Sequence, residues 1–211
     1  MTAFNPLDTT ALTKVFVNEL TSRPPIALPE VDPKEVEGPG LYALYYTGAY
    51  DLYKPLAEAG TEWPIYLGSA VPRGSRKGKV KRGGKSPILD RLERHNESVT
   101  YAENLNETLF FARWLEVDEP FIILGEMLLT RFYQPLWNAT LDGFGNKVVG
   151  KERETGKKSQ WDTMHPGRPG RGQTEARDPV KIEKQIKAHL AEYPPGFSIS
   201  TPGAAHAASD A

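Results

Sequence analysis

The sequence of 211 residues contains no cysteine, which excludes disulfide bonds and zinc sites built from thiolates. Its formal net charge is only −1, so it lacks the generally basic composition of many nucleic-acid-binding proteins. No apolar run approaches the ~20 residues that cross a bilayer, and the N-terminal stretch MTAFNPLDTTALTKVF lacks the basic start and apolar core of a secretory signal. These absences predict a cytoplasmic protein that is not bound to a membrane.

The positive charge that is present is concentrated between residues 71 and 95, where nine lysines and arginines accompany two acidic residues. Most of them lie in the glycine-rich segment 71–85, which could follow a phosphate backbone at low steric cost. A merely solvated surface is the alternative interpretation of this segment. The candidate phosphate contacts are Arg73, Arg76, Lys77, Lys79, Lys81, Arg82 and Lys85.

Three segments predict β-strands: the aromatic-rich LYALYYTG from Leu41 and TLFFARWLEV from Thr108, and PIYLGSA from Pro64. A helix should begin after Ser86, which supplies an N-cap and is followed by a first-turn proline. Another should begin at Glu119 and run to the region of Gln134 and Pro135. At the ends of the chain, the pattern predicts helices over residues 8–20 and 178–193. A Pro-rich extended connector over residues 23–40 follows the first of them.

One carboxylate, Glu126, lies within the otherwise apolar stretch FIILGEMLL. An ionised carboxylate removed from water without partners costs several kcal/mol, so a core helix normally excludes one unless a cation or arginine compensates it. A salt-bridged glutamate, or one that turns to solvent at the helix edge, is the ordinary explanation. A metal ligand is the alternative.

Other polar residues stand out less when each is taken alone. Arg91 and His95 lie four residues apart and therefore on one helix face. Tyr42 and Tyr66 lie in the first two predicted strands, where tyrosine usually serves packing. Asn138 follows Leu-Trp and could be a turn residue.

The order of these features resembles the GIY-YIG nuclease superfamily. Residues 40–42 (GLY) stand for its first signature and residues 66–68 (YLG) for its second, with leucine in place of each isoleucine. The helix with Arg91 and His95, then the glutamate in an apolar helix, then LWN follow in the same order. The resemblance covers residue 40 to about Asn138.

Within that superfamily, the Arg91 and His95 helix and the segment WDTMHPGRPGR are most similar to type II restriction endonucleases that recognise the palindrome CCGCGG. His95 is a departure from other branches, which more often place a tyrosine or another polar residue there. Mechanisms of the repair and homing branches therefore do not transfer directly.

The resemblance implies an α+β fold with a small, three-stranded, mainly antiparallel sheet flanked by helices. It implies an N-terminal helix and arm over residues 1–39 and a catalytic core over 40–140 with the basic loop 71–85 inserted. It further implies DNA-reading loops and a helix over 141–195, and residues 196–211 should form a disordered tail.

The resemblance also implies an active site in which Glu126 binds one Mg²⁺ ion, with Mn²⁺ able to substitute. Arg91 would stabilise the transition-state phosphate, and Tyr42 would accept a proton from water. A free phenol has a pKa near 10, so Tyr42 would need nearby positive charge or support from His95. Tyr66 would orient water or phosphate, and Asn138 would hold the phosphate or the glutamate. The implied catalytic set is Tyr42, Tyr66, Arg91, His95, Glu126 and Asn138.

The expected partner is double-stranded DNA. Arg168 and Arg171 in HPGRPGRG are candidates to read guanines in the major groove, together with His165. A palindrome is most simply read by a homodimer, whose interface could involve the N-terminal helix or the arm. A cognate DNA methyltransferase is expected in the same system but not as a stable subunit.

Two other functions remain open at this point. One is a structure-selective or homing GIY-YIG nuclease, although the chain offers no separate DNA-binding module after the core. The other is a noncatalytic nucleic-acid-binding protein in which the tyrosines and Glu126 serve the fold.

Overall fold

The computed structural model describes residues 9–71, 85–145, 158–169 and 175–196. A four-stranded antiparallel sheet forms its centre, with strands in the order β1-β4-β2-β3. The predicted α+β class is confirmed, and the three predicted strands are present. The strands are β1 (Ile26–Ala27), β2 (Gly40–Tyr46), β3 (Tyr66–Ala70) and β4 (Phe110–Glu116).

The short strand β1 was not expected, because the segment between residues 23 and 40 is rich in proline. Ile26 and Ala27 pair with β4, and two single-turn 3-10 helices follow them at Leu28–Glu30 and Pro33–Glu35. Leu28 and Val36 are buried. The connector is therefore part of the core rather than a free extended arm, since its few apolar side chains pack against the sheet.

The helices begin where capping residues predict. Ser86 accepts a hydrogen bond from the backbone N–H of Leu89, and Pro87 occupies the first turn. The fourth helix ends at Tyr133 because Gln134 adopts a left-handed conformation, with φ of 45°. The helices are α1 (Thr9–Thr21), α2 (Lys54–Glu58), α3 (Pro87–Thr100), α4 (Glu119–Tyr133), α5 (Leu136–Ala139), α6 (Gln160–Met164) and α7 (Pro179–Glu192).

Helices cover both faces of the sheet. On one face, α4 lies so close to β2 that a Cβ atom added at Gly125 would be 2.6 Å from Leu41 and 2.8 Å from Phe16 of α1. On the other face, His95 of α3 contacts Tyr42 of β2. Because side chains alternate along a strand, Leu41 and Tyr42 project to these two different layers. Within the described ranges, no helix is long and apolar enough to cross a membrane.

Candidate active site

Tyr42 and His95 form a buried pair between β2 and α3. The Tyr42 hydroxyl lies 2.8 Å from Nε2 of His95, and the two residues are 2% and 1% exposed. Their ring centroids are 5.4 Å apart. Two residues of the predicted catalytic set are thus joined by a hydrogen bond between the sheet and the helix that covers it.

Gly68 of the second signature makes room for Tyr42. The two residues are directly opposite in the β2 and β3 pairing, so their Cα substituents would point to the same face. A Cβ atom at position 68 would lie 2.5 Å from Cζ of Tyr42. The glycine therefore allows the tyrosine ring to cross over β3.

Tyr66 completes an aromatic group around His95. Its ring centroid is 5.1 Å from that of His95 and 6.2 Å from that of Tyr42, and its side chain is only partly buried. Alternation along β3 places Tyr66 on the same face as the substituent position of Gly68, and hence as Tyr42. The two signature tyrosines share one side of the sheet.

Burial controls the protonation of this group. Burial, and then the neighbouring Tyr66, raise the pKa of Tyr42 well above its usual value, while the charge of Arg91 opposes this shift. Burial lowers the pKa of His95 to about 3, and the positive charges of Arg91, Arg168 and Arg94 act in the same direction. At neutral pH, Tyr42 therefore holds its proton and His95 is uncharged.

An uncharged His95 has one ring N–H. Its Nδ1 is buried and makes no hydrogen bond within the described residues, whereas Nε2 faces the Tyr42 hydroxyl. A buried N–H without a partner is rarer in proteins than an unused acceptor. The geometry therefore favours the tautomer in which Nε2–H donates to the Tyr42 oxygen.

Arg91 lies on α3 one turn before His95 and is partly buried. Its charge lowers the pKa of Tyr42 and of Tyr66, although burial raises both more strongly. The charge of Arg91 therefore acts on both tyrosines.

Glu126 is partly buried on α4, and its Oε2 accepts a 2.6 Å hydrogen bond from the Ser69 hydroxyl of β3. Across the described part of the chain Glu126 makes no ion pair, so the salt-bridge explanation finds no support there. Its charge also raises the pKa of Tyr42 and Tyr66, after the larger effect of burial. The carboxylate and the tyrosines therefore belong to one electrostatic site around the edge strand β3.

The donor set suits a single hard cation that keeps most of its water. No cluster of three or more His, Asp or Glu side chains that could hold a metal occurs among the described residues. Glu126 offers one carboxylate whose Oε1 makes no hydrogen bond within them. Mg²⁺ binds through one or two carboxylates plus waters and phosphate oxygens, so this set fits the expected ion.

Asn138 binds the backbone of the edge strand. Its Oδ1 accepts from the Leu67 N–H at 2.8 Å, and its Nδ2 donates to the Leu67 carbonyl at 2.8 Å. The amide thus satisfies the outer edge of β3 between Tyr66 and Gly68. The predicted hydrogen bond from Asn138 to Glu126 is not formed, and Asn138 instead fixes the strand that carries Tyr66 and Ser69.

The predicted DNA contacts fall into three groups: one residue is exposed, seven lie outside the described residues, and two are buried. Lys85 is exposed and forms an ion pair with Glu93. Six others in the basic loop, and Arg171, lie outside the described residues. The loop residues concerned are Arg73, Arg76, Lys77, Lys79, Lys81 and Arg82.

His165 and Arg168, which were predicted to contact bases, are buried in this structure, with exposed fractions of 0% and 9%. His165 lies between the Tyr53 hydroxyl, 2.6 Å from Nε2, and Oδ1 of Asn104, 2.9 Å from Nδ1. The guanidinium of Arg168 pairs with Asp162 at 2.6 Å. Removing one partner of a buried ion pair costs about 3–5 kcal/mol, so reaching a base would be expensive. Both side chains are held inside the fold by these contacts.

Two residues around the site were not found from the sequence. Ser69 directly follows the second signature, but a serine in a strand carries no distinctive pattern. Phe144 lies between two glycines in DGFGN and stacks on His95 with ring centroids 4.6 Å apart. The glycine pair was the available signal, because it indicates a tight turn.

The antiparallel sheet, with its signature tyrosines on neighbouring strands and a glutamate on the covering helix, defines a GIY-YIG nuclease fold. A family model described as the Eco29kI GIY-YIG domain matches residues 34–190. The chain belongs to this family of restriction endonucleases, and it is accordingly a nuclease that binds DNA. No curated protein matches the sequence significantly.

Proposed function

We propose that this protein is a type II restriction endonuclease that hydrolyses both strands of double-stranded DNA at the palindrome CCGCGG. The observation that carries the proposal is the hydrogen-bonded Tyr42 and His95 pair, electrostatically coupled to Arg91 and Glu126. Phosphodiester hydrolysis needs a proton acceptor for water and positive charge near the phosphate. The site supplies a candidate for each.

In this proposal Tyr42 accepts a proton from the attacking water. Burial keeps Tyr42 protonated in the free protein, so Tyr42 must first release its own proton to solvent when DNA and metal bind, and only the resulting phenolate can accept a proton from water. Nε2 of His95 lies 2.8 Å from the Tyr42 oxygen, so its N–H can donate to that phenolate. A neutral His95 with a pKa of about 3 is a poor proton acceptor, so it is better suited to support Tyr42 than to relay the proton of Tyr42.

Arg91 and Tyr66 would act on the phosphate. A guanidinium is always charged and presents several donors, which suits the nonbridging oxygens of the transition state. Tyr66 is only partly buried, so its hydroxyl can orient water or phosphate from solvent. Asn138 would then act indirectly, because it fixes the strand that presents Tyr66.

Glu126 would hold one Mg²⁺ ion, or Mn²⁺ in its place. When bound, such an ion polarises the phosphate and lowers the pKa of a bound water. Ser69 donates to Oε2 and thereby fixes the rotation of the carboxylate, which leaves Oε1 for a ligand. Hydrogen-bonded neighbours usually orient metal ligands in this way, and Ser69 would have that role here.

The recognition sequence and assembly are parts of the same proposal. A CCGCGG site presents two equivalent halves, which suits a homodimer with one active site for each strand. With Arg168 held in the fold, Arg171 and the basic loop are the remaining candidates for contacts with guanine and phosphate. A cognate methyltransferase would protect the same sequence as a separate protein.

Purified protein incubated with plasmids that carry or lack CCGCGG, with Mg²⁺ or with EDTA, tests these points together. The proposal expects discrete fragments only from plasmids with the site and only with the metal. Cleavage confined to branched DNA would instead support a structure-selective nuclease. Binding without cleavage of any DNA would support the noncatalytic alternative.

The variant Glu126→Gln separates metal binding from DNA binding. It retains the shape of the side chain and can still accept from Ser69, but it lacks the charge that attracts Mg²⁺. We expect gel-shift binding of the cognate site to remain while cleavage is lost. Cleavage at the rate of the unsubstituted protein would exclude Glu126 as the metal ligand.

A further inference from the structure

Phe144 packs on two members of the proposed catalytic group, His95 and Tyr66. Its ring stacks on His95 with an interplanar angle of 20° and contacts Tyr66 edge-on, with ring centroids 5.0 Å apart. Phe144 is 5% exposed. Its ring centroid also lies 4.4 Å from that of Trp137 and 5.3 Å from that of Trp161, so two larger rings fix its position.

The turn that carries Phe144 fits closely against the site. Gly143 and Gly145 have φ of 103° and 71°, which residues other than glycine rarely adopt. A Cβ atom at Gly145 would lie 2.9 Å from the Tyr66 hydroxyl and 3.1 Å from Cε1 of His95. Glycines on both sides thus allow the backbone to approach and place the aromatic ring on His95.

Arg168 anchors this turn to the C-terminal part of the core. Its Nη2 donates to the Gly143 carbonyl at 3.1 Å, and its Nε donates to Asp162 at 2.7 Å. Its guanidinium also lies 4.2 Å from the ring centroid of Trp161. One buried arginine therefore connects α6, through Asp162 and Trp161, with the turn that carries Phe144.

His95 needs such a constraint because one hydrogen bond does not fix a ring. Nε2 has Tyr42 as its partner, while Nδ1 makes no hydrogen bond within the described residues. The imidazole could otherwise rotate about its χ2 bond and present a different edge to Tyr42. A ring stacked on its face restricts that rotation.

We propose that Phe144 is a positioning residue of the nuclease, which holds His95 so that Nε2 faces Tyr42, and that Arg168 holds the turn carrying Phe144. The inference rests on the proposed role of the Tyr42 and His95 pair. It assigns a function to a phenylalanine that does not touch DNA or metal. It also gives the buried Arg168 a role that replaces base readout.

The test compares Phe144→Leu with Phe132→Leu. Both changes remove an aromatic ring and keep an apolar side chain. Phe132, however, lies on α4 and packs on Trp63 and Tyr133 instead of on His95. The first measurement is the single-turnover cleavage rate, together with DNA affinity in Ca²⁺. The second is the ring ¹⁵N spectrum of the histidines, of which the chain has four. His95→Gln identifies the His95 signals.

For Phe144→Leu we expect cleavage to slow by about 10- to 100-fold, because misplacement of a reacting group by about 1 Å can cost that much. DNA affinity should stay within about twofold, which places the loss in the chemical step. The His95 signals should change from a fixed Nε2–H tautomer towards an average of two. Phe132→Leu should lower the melting temperature but change neither the cleavage rate nor the His95 signals.

Several results would overturn the inference. An unchanged cleavage rate and an unchanged His95 tautomer in Phe144→Leu would show that the ring only fills space. Equal slowing by Phe132→Leu would show a general effect of lower stability. If the unsubstituted protein cleaves no DNA, the proposed function fails, whereas the histidine spectra still decide whether Phe144 fixes His95.

Discussion

Replacement of Tyr42 by phenylalanine removes a single oxygen atom from the centre of the proposed site. The ring and its contacts with Tyr66 and His95 are retained, so the change isolates the hydroxyl. That hydroxyl lies 2.8 Å from Nε2 of His95. Tyr42→Phe therefore tests both the hydrogen bond and the proposed proton acceptor.

Two separate losses follow from the structure. His95 is 1% exposed, so without the hydroxyl its Nε2 is left buried without a partner. Such a group costs about 1–3 kcal/mol, and each kcal/mol lowers the melting temperature of a chain of this size by about 2–4 °C. Loss of a general base typically slows the chemical step by about 10²–10⁴-fold. The expected loss of activity is therefore much larger than a small loss of stability explains.

The chain contains a matched control for this variant. Tyr53 is also buried, and its hydroxyl lies 2.6 Å from Nε2 of His165 and accepts from Trp137 at 3.1 Å. Tyr53→Phe breaks a second tyrosine–histidine pair that we assign to the fold. It should lower stability by a similar or larger amount and leave the cleavage rate within about threefold.

The assay is nicking and linearisation of a supercoiled plasmid that carries CCGCGG, well below the melting temperature of each variant, with urea unfolding measured alongside. A folded Tyr42→Phe protein that cleaves at the rate of the unsubstituted protein would refute the role of Tyr42 as base. Equal loss of cleavage in Tyr53→Phe would show that the assay reports stability instead.

Two further substitutions test how the sheet prepares the site. Ser69→Ala removes the 2.6 Å hydrogen bond to Glu126, and we expect the Mg²⁺ concentration for half-maximal cleavage to rise by about 10- to 100-fold. An unchanged Mg²⁺ dependence would remove Ser69 from the site. Gly68→Ala places a methyl group 2.5 Å from Cζ of Tyr42, so the tyrosine must move. We expect the cleavage rate to fall by about 100-fold and the melting temperature to decrease. Normal cleavage by this alanine variant would show that Tyr42 does not need its present position.

Local patterns predicted most of the secondary structure. Aromatic and β-branched residues predicted three strands, and Ser86 with Pro87 predicted the start of α3, because strand propensity and helix capping depend on neighbours in the chain. The strand β1 was missed because its partner lies in β4, far along the sequence. Two residues among prolines carry too little local pattern to indicate a strand.

The sequence by itself determined the family resemblance and the unusual character of Glu126, because signatures on consecutive elements keep their order and a carboxylate in an apolar helix is costly wherever it lies. Only the tertiary structure decided which side chains meet. Tyr42 reaches His95 across 53 positions, and Ser69 reaches Glu126 across 57. The buried positions of His165 and Arg168 were decided in the same way. Such contacts depend on strand register and on how helices cover the sheet, and these arise from packing of the whole core.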